Sequence, residues 1–125
     1  MSIRGIGTDI VSVKRIQDVL ARNPDFAKRV LTADEMLRYA SHPKPVSFLA
    51  KRWAAKEATA KALGTGIGKV SFQHIVIAHT AAGQPLLQLC DEAQKQAARL
   101  GATQFHVSLS DEQDYAIAYV VLSAN

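Results

Sequence analysis

Lys51–Gly68, KRWAAKEATAKALGTGIG, decides how this chain is read. It is the second half of an alanine-rich helix that stops at Gly64 and runs into a glycine loop. At about 100° of rotation per residue, Lys51, Arg52, Lys56 and Thr59 share one polar arc. Glu57 and Lys61 fall on a different side, among Ala50, Trp53, Ala54 and Ala60. A Glu and a Lys at i,i+4 are neighbours on a helix surface, and ionised groups are rarely left in an apolar stripe unless paired or bound to a metal. Two readings are open. One is a half-buried structural ion pair; the other is a carboxylate that handles a metal or phosphate beside a cation.

Downstream, Gly64-Thr65-Gly66-Ile67-Gly68 has the composition of a phosphate cradle but not its polarity. Phosphate loops precede a helix and use its positive N-terminus. This loop follows a C-terminus, where the dipole repels anions. Gly64 is therefore expected first as the helix cap, and phosphate there needs positive charge from Lys61, Lys69 or a metal. Beyond the loop, His74–Ala78 and Leu86–Leu89 read as strands around a turn at Ala81–Pro85. Asp91 is expected to cap a helix to about Leu100, ended by Gly101. Gln104–Ser110 alternates, with Phe105, Val107 and Leu109 against His106, Ser108 and Ser110. His106 is either a half-exposed strand histidine or a ligand. Asp111–Asp114 is a polar turn. The nearly continuous apolar Tyr115–Leu122 is expected to be a strand buried on both faces or at a subunit contact.

Upstream, Ile3–Val11 alternates and reads as a strand. Gly5 and Gly7 share one face of it with Asp9. Glycine inside a strand marks a bulge or a close approach by backbone or ligand. A carboxylate on a face cleared of side chains suits a bound cation; Asp9 could equally cap the next helix. Ser12 is the expected N-cap of a helix to about Arg22, with Lys14, Arg15 and Arg22 outward. Asn23-Pro24 restarts a short helix with Pro at its first position, leaving Lys28 and Arg29 outward. Thr32–Glu35 fits a capping box. His42–Pro45 breaks that helix, and Pro45 opens the central one. The order β-α-α-α-α-β-β-α-β-β implies an α+β fold with a mostly antiparallel sheet around the long central helix.

The 125 residues suit a single domain, residues 1–125, and 48% apolar content argues against disorder. One cysteine, Cys90, excludes an internal disulfide framework and suggests a reducing compartment. The N-terminus lacks a signal-peptide pattern, and no apolar stretch approaches the ~20 residues of a membrane helix. A soluble, cytoplasmic protein is expected. Residues 1–69 hold 13 Lys and Arg against 6 Asp and Glu, and residues 70–125 hold 2 against 5. The basic half suggests an anionic partner. Dispersed basic residues without an aromatic-basic motif disfavour nucleic acid.

Gly5-Ile6-Gly7-Thr8-Asp9-Ile10-Val11 and Trp53-Ala54-Ala55-Lys56-Glu57-Ala58-Thr59-Ala60-Lys61-Ala62, followed by Gly64–Gly68, resemble the two signatures of the holo-acyl-carrier-protein synthases, the small 4'-phosphopantetheinyl transferases. The likeness spans nearly the whole chain, including Phe48–Arg52, Phe72 and the closing strands. It implies the transferase fold and transfer of phosphopantetheine from coenzyme A to a serine of apo acyl carrier protein, releasing 3',5'-ADP, in fatty-acid biosynthesis. It implies that Asp9 and Glu57 ligate Mg2+ on the pyrophosphate, a donor set Mg2+ accepts with waters and phosphate oxygens. Glu57 becomes the candidate for taking the serine proton. Lys61 becomes the group that neutralises the departing phosphate. Arg52, Lys61, Gly64 and Gly66 become coenzyme A contacts. Arg15 and Arg29 become docking cations for the acidic carrier. It further implies a homotrimer with sites at subunit interfaces. One departure stands out: many members carry histidine after the S-x-S/T of the penultimate strand, and here Asp111 follows Ser108-Leu109-Ser110. That leaves His106 as the strand's candidate for nucleotide. The alternatives are a noncatalytic carrier-protein or coenzyme A binding module, which needs no metal carboxylates, and a basic nucleic-acid-binding domain.

Overall fold

The first and last strands of the chain pair with one another, and the helices fill the space this leaves on one side. The structure is a computed structural model that describes residues 1–125. Strands β1 (Ser2–Ser12), β4 (Gln104–Asp111) and β5 (Tyr115–Ala124) form an antiparallel sheet in the order β1-β5-β4. A separate antiparallel hairpin joins β2 (Ile75–His79) to β3 (Pro85–Leu89). The helices are α1 (Val13–Arg22), α2 (Phe26–Val30), α3 (Ala33–Ser41), α4 (Pro45–Leu63) and α5 (Asp91–Arg99), with one 3-10 turn at Phe72–His74. The class is α+β, as the sequence implies. No helix is long and apolar enough to cross a membrane.

The alanines and glycines explain how α4 meets the sheet. Gly5 and Gly7 lie opposite Leu122 and Val120 on the inner face. A Cβ at Gly7 would overlap the carbonyl oxygen of Ala58, and one at Gly5 that of Ala62. Strand and helix backbones therefore touch, with Ala54, Ala58, Ala116 and Ala118 buried around the contact. The close approach expected for these glycines is found, made by backbone. The ladder also shifts register between Ile3 and Gly5, the bulge that glycine in a strand suggests.

Several local expectations hold. The Ser12 hydroxyl accepts from the Arg15 amide at 3.3 Å. Thr32 and Glu35 close the capping box from both sides. Pro45 opens α4, and Gly64 ends it with φ 79°, the left-handed conformation that glycine adopts without penalty. Others shift. α2 begins at Phe26 rather than Pro24, because Asn23 and Pro24 enter a turn closed by the Phe26 amide on Asn23 O. Residues Phe72–His74 wind into the 3-10 turn, so β2 starts at Ile75. Asp91 is the first residue of α5, not its cap; Cys90 stands in the cap position. Asp111 extends β4 instead of joining the turn. β5 is buried on both faces only at Leu122–Ala124: before that Ala116, Ala118 and Val120 are buried, while Tyr115, Ile117 and Tyr119 stand exposed.

The largest correction concerns α4. Its polar arc is buried as deeply as the alanines: Arg52 is 2% exposed, and Lys56 and Thr59 0%, as are Ala50, Ala54 and Ala60. Glu57 is half-buried and Lys61 exposed. Long cationic side chains go inside only when their donors are met. Lys56 Nζ donates to Glu35 Oε1 at 2.7 Å, Val30 O at 2.7 Å and Phe72 O at 3.1 Å. Glu35 also accepts from the Thr32 and Ile77 amides. This one cluster ties the end of α2, the start of α3, α4 and β2 together. Burial lowers the Lys56 pKa and Glu35 opposes the shift.

Candidate active site

Asp9 and Glu57 arrive from elements locked together by the glycine contact. Asp9 lies opposite Ala118 on the inner face of the sheet, the face that carries Gly5 and Gly7. Trp53, Glu57 and Lys61 are spaced i, i+4, i+8 on α4, one stripe of side chains along the helix. The sequence sets Glu57 and Lys61 as possible ion-pair partners; the structure pairs Lys61 elsewhere. Lys61 Nζ donates to Asp9 Oδ1 at 2.9 Å and to Thr8 O at 3.0 Å. The structural Glu57–Lys61 bridge is thus replaced by a bridge from helix to strand.

That leaves two oxygen groups with little to hold. Asp9 Oδ2 is buried and has no hydrogen-bond partner. Leaving such an acceptor unmet costs about 1–3 kcal/mol. Burial raises the Glu57 pKa, the nearby Asp9 carboxylate raises it further, and Lys61 opposes them. Two carboxylates that repel one another, one with an unmet oxygen, form a hard oxygen donor set suited to a small divalent cation. No third His, Cys, Asp or Glu joins them, so remaining positions on such a cation fall to water or to a substrate's oxygens. Lys61 lines a cleft of about 340 Å³ with Ile6, Gly7, Thr8 and Tyr119, on the exposed side of this cluster.

The other residues singled out from sequence lie around this cluster or apart from it. Arg15 is exposed on α1 and its guanidinium sits 6.0 Å from the centre of the Trp53 ring, one helical turn along α4 from Glu57. Arg29 borders a groove of about 940 Å³ with Leu31, Met36, Ile67 and Phe72, whose far wall is the end of the glycine loop. Gly66 also takes a positive φ, 65°, so the loop turns by means of its glycines. Arg52 borders a separate pocket of about 400 Å³ with Arg38, Lys51 and His79. Burial lowers its pKa to about 10, against the pull of Glu35. His106 lies opposite Val121 on the outer face of the sheet, where its Nε2 is 3.1 Å from Ser123 Oγ. It points away from Asp9 and cannot join it within one chain. Asp111, at the position where the resemblance leads one to expect histidine, turns to α4: one oxygen lies 3.7 Å from Lys51 Nζ and the other accepts from Ser47 Oγ at 3.4 Å.

The sequence reading missed the partners of the buried cations. Glu35 reads locally as a capping residue, and nothing in the spacing of residues 35 and 56 marks a pair. His79 falls just past the expected strand His74–Ala78, with no local sign that two arginines converge on it.

Residues 5–120 match the family model of the 4'-phosphopantetheinyl transferase superfamily. The holo-[acyl-carrier-protein] synthase of Shewanella denitrificans is 53% identical over 99% of this chain and 100% of its own length. The crystal structure of the holo-[acyl-carrier-protein] synthase from Neisseria meningitidis superposes with a TM-score of 0.90 at 47% identity, covering 97% of this chain and 98% of that one. The Bacillus anthracis holo-(acyl-carrier-protein) synthase, solved in complex with CoA (3',5'-ADP), matches with a TM-score of 0.83 at 36% identity over 100% of both chains. A polypeptide with these two signatures, this fold and this likeness along its length belongs to the 4'-phosphopantetheinyl transferase superfamily and, within it, to the holo-[acyl-carrier-protein] synthases.

Proposed function

We propose that residues 1–125 act as one Mg2+-dependent domain that moves the 4'-phosphopantetheine arm of coenzyme A to a serine of apo acyl carrier protein. The observation that carries the reading is the unmet Asp9 Oδ2 beside the raised carboxyl of Glu57, with Lys61 on the other Asp9 oxygen. Asp9 and Glu57 would hold the Mg2+, which supplies charge stabilisation at the pyrophosphate when bound. The serine Oγ attacks the phosphorus that bears the pantetheine arm. The bond from that phosphorus to the bridging oxygen breaks, and 3',5'-ADP leaves. Glu57 takes the serine proton. Lys61, anchored on Asp9 and Thr8 O, places its charge where the leaving phosphate gains negative charge. Gly64 and Gly66 let the cofactor approach the backbone of the loop, and Arg52 meets a phosphate of coenzyme A.

Arg15 and Arg29 dock the acidic carrier. Arg15 lies beside Trp53, one helical turn along α4 from Glu57, and Arg29 flanks the apolar groove, so both offer cations to a carrier helix. Chains associate as trimers through the outer sheet face, where Ile6, Ile10, Ile117 and Tyr119 are exposed in the single chain. His106 lies on that face, which supports a coenzyme A contact made across a boundary between chains. With these substrates the reaction belongs to fatty-acid biosynthesis in the cytoplasm. The test is intact-mass spectrometry of an apo acyl carrier protein incubated with this protein, coenzyme A and Mg2+, with a chelator control. A gain of one phosphopantetheinyl group that the chelator abolishes is expected. A folded protein that gives no gain on several apo carriers would leave a noncatalytic carrier-protein or coenzyme A binder as the reading.

A further inference from the structure

Around the Arg52 pocket, hydrogen-bond donors outnumber acceptors. Arg52 Nη2 lies 3.2 Å from His79 Nδ1 and 3.5 Å from Ile77 O, and Arg38 Nη1 lies 2.8 Å from the same His79 nitrogen. Both guanidiniums can only donate, so His79 Nδ1 must accept, and its ring is neutral with the proton on Nε2. One nitrogen lone pair serves two arginines. Arg52 Nε is buried with no partner at all. The Phe48 ring, 4.2 Å below the Arg52 guanidinium, holds the plane of the group but supplies no oxygen.

The charges are as uneven as the hydrogen bonds. α4 brings Arg52 and Lys51, α3 brings Arg38, and His42 beyond it borders the same pocket. The facing carboxylates are occupied. Glu35 is bonded to Lys56 and to two backbone amides, and Asp111 reaches Lys51 only at 3.7 Å. Like charges so close separate unless something between them accepts from both. The imidazole is one such acceptor, and a phosphate on the other side of the guanidiniums would be a second, since phosphate oxygens suit paired guanidiniums.

We propose that His79 is a positioning residue for coenzyme A binding, a neutral imidazole that takes hydrogens from Arg38 and Arg52 at once and holds the two guanidiniums as one phosphate-binding pair. The proposal rests on the reading that Arg52 meets a phosphate of coenzyme A. It adds Arg38 as the second arginine and gives His79 a role without contact to the reacting atoms. The pull of burial and of Arg52, Arg38 and Lys51 on the imidazole, which lowers its pKa from 6.5, keeps it in the accepting form at neutral pH.

Initial rates with apo carrier, Mg2+ and varied coenzyme A test it. His79→Phe removes the acceptor and is expected to raise the KM for coenzyme A about tenfold, the effect of roughly one good interaction, with kcat kept. His79→Asn, whose Oδ1 replaces Nδ1 as acceptor, is expected to recover most of that loss. Arg52→Ala raises the same KM, and adding His79→Phe to it costs little more. A KM unchanged in His79→Phe but raised in Arg52→Ala would overturn the role of His79 and leave Arg52 as a phosphate contact. A KM unchanged in Arg52→Ala would remove that contact and the proposal with it. An Asn variant no better than Phe, or a loss confined to kcat, would make His79 structural and also overturn the proposal. Melting curves of each variant show that the proteins compared are folded.

Discussion

Glu57 carries opposing demands at the scale of one residue. Its carboxyl is raised from 4.5 by burial first and by Asp9 second. Between 4.5 and the raised value the folded chain holds more protons than the unfolded one, so this group's contribution to stability falls as pH rises through that window and stays low above it. On the proposed mechanism, the metal-free protein is therefore destabilised at neutral pH by a group that transfer needs. Glu57→Gln is expected to abolish transfer while slightly raising the melting temperature in chelator at pH 7, an advantage that fades near pH 4.5. A variant that melts below wild type at pH 7 would mean that the Glu57 charge is answered within the chain. Such a trade of stability for function is common where charge is gathered for chemistry. Asp9, Glu57 and Lys61 were all legible as odd residues: a carboxylate on a glycine face, and charges among alanines. Their pairing was not. The spacing of 57 and 61 argues for a helix-surface pair, and only the strand laid across α4 lets Lys61 choose Asp9.

Between elements, the governing quantity is the distance from strand to helix. Gly7 and Ala58 meet backbone to backbone, and no side chain there can yield to make room. Gly7→Ala is expected to cost about 3 kcal/mol through overpacking, a fall of roughly 10 °C in melting temperature for a chain of this size. Transfer activity should drop with it even below the melting range, because Asp9 moves away from Glu57. Calorimetry beside initial rates checks both, and a Gly7→Ala protein with wild-type melting would mean that the two backbones are free to part. Most element boundaries were legible because their signals are local: Ser12, the Thr32–Glu35 box, Pro45 and Gly64 each act within a few residues. The burial of the charged arc of α4 was not. Alanine is neutral between core and surface, so the helix carries almost no amphipathic signal. The deciding partners of Arg52 and Lys56, Glu35 and His79, lie tens of residues away in sequence.

For the whole molecule, the outer sheet face is the surface with exposed apolar side chains, Ile6, Ile10, Ile117 and Tyr119. If neighbouring chains cover Ile117, then Ile117→Glu buries an unpaired charge at that contact. The variant is expected to run as a single chain in size-exclusion chromatography with light scattering, to keep wild-type circular dichroism, and to lose about a hundredfold in transfer through misplaced cross-chain groups. A variant that stays assembled would point to another face. Tyr115–Leu122 reads as apolar throughout, and the sequence reading left a subunit contact open as one explanation; it could not show that alternate residues face outward. The pairing of β1 with β5 has a further consequence, in the order of events during folding. Ser2 lies opposite Ala124, and Thr8 donates its hydroxyl to Ala118 O at 3.0 Å. Bringing together residues so distant along the chain has a high loop-closure cost and slows folding. On a ribosome β1 waits without a partner until β5 emerges, and an unpaired apolar strand is prone to wrong association. Asp9 reaches its place only when the last strand docks, so a partly made chain has no assembled pair of Asp9 and Glu57 carboxylates.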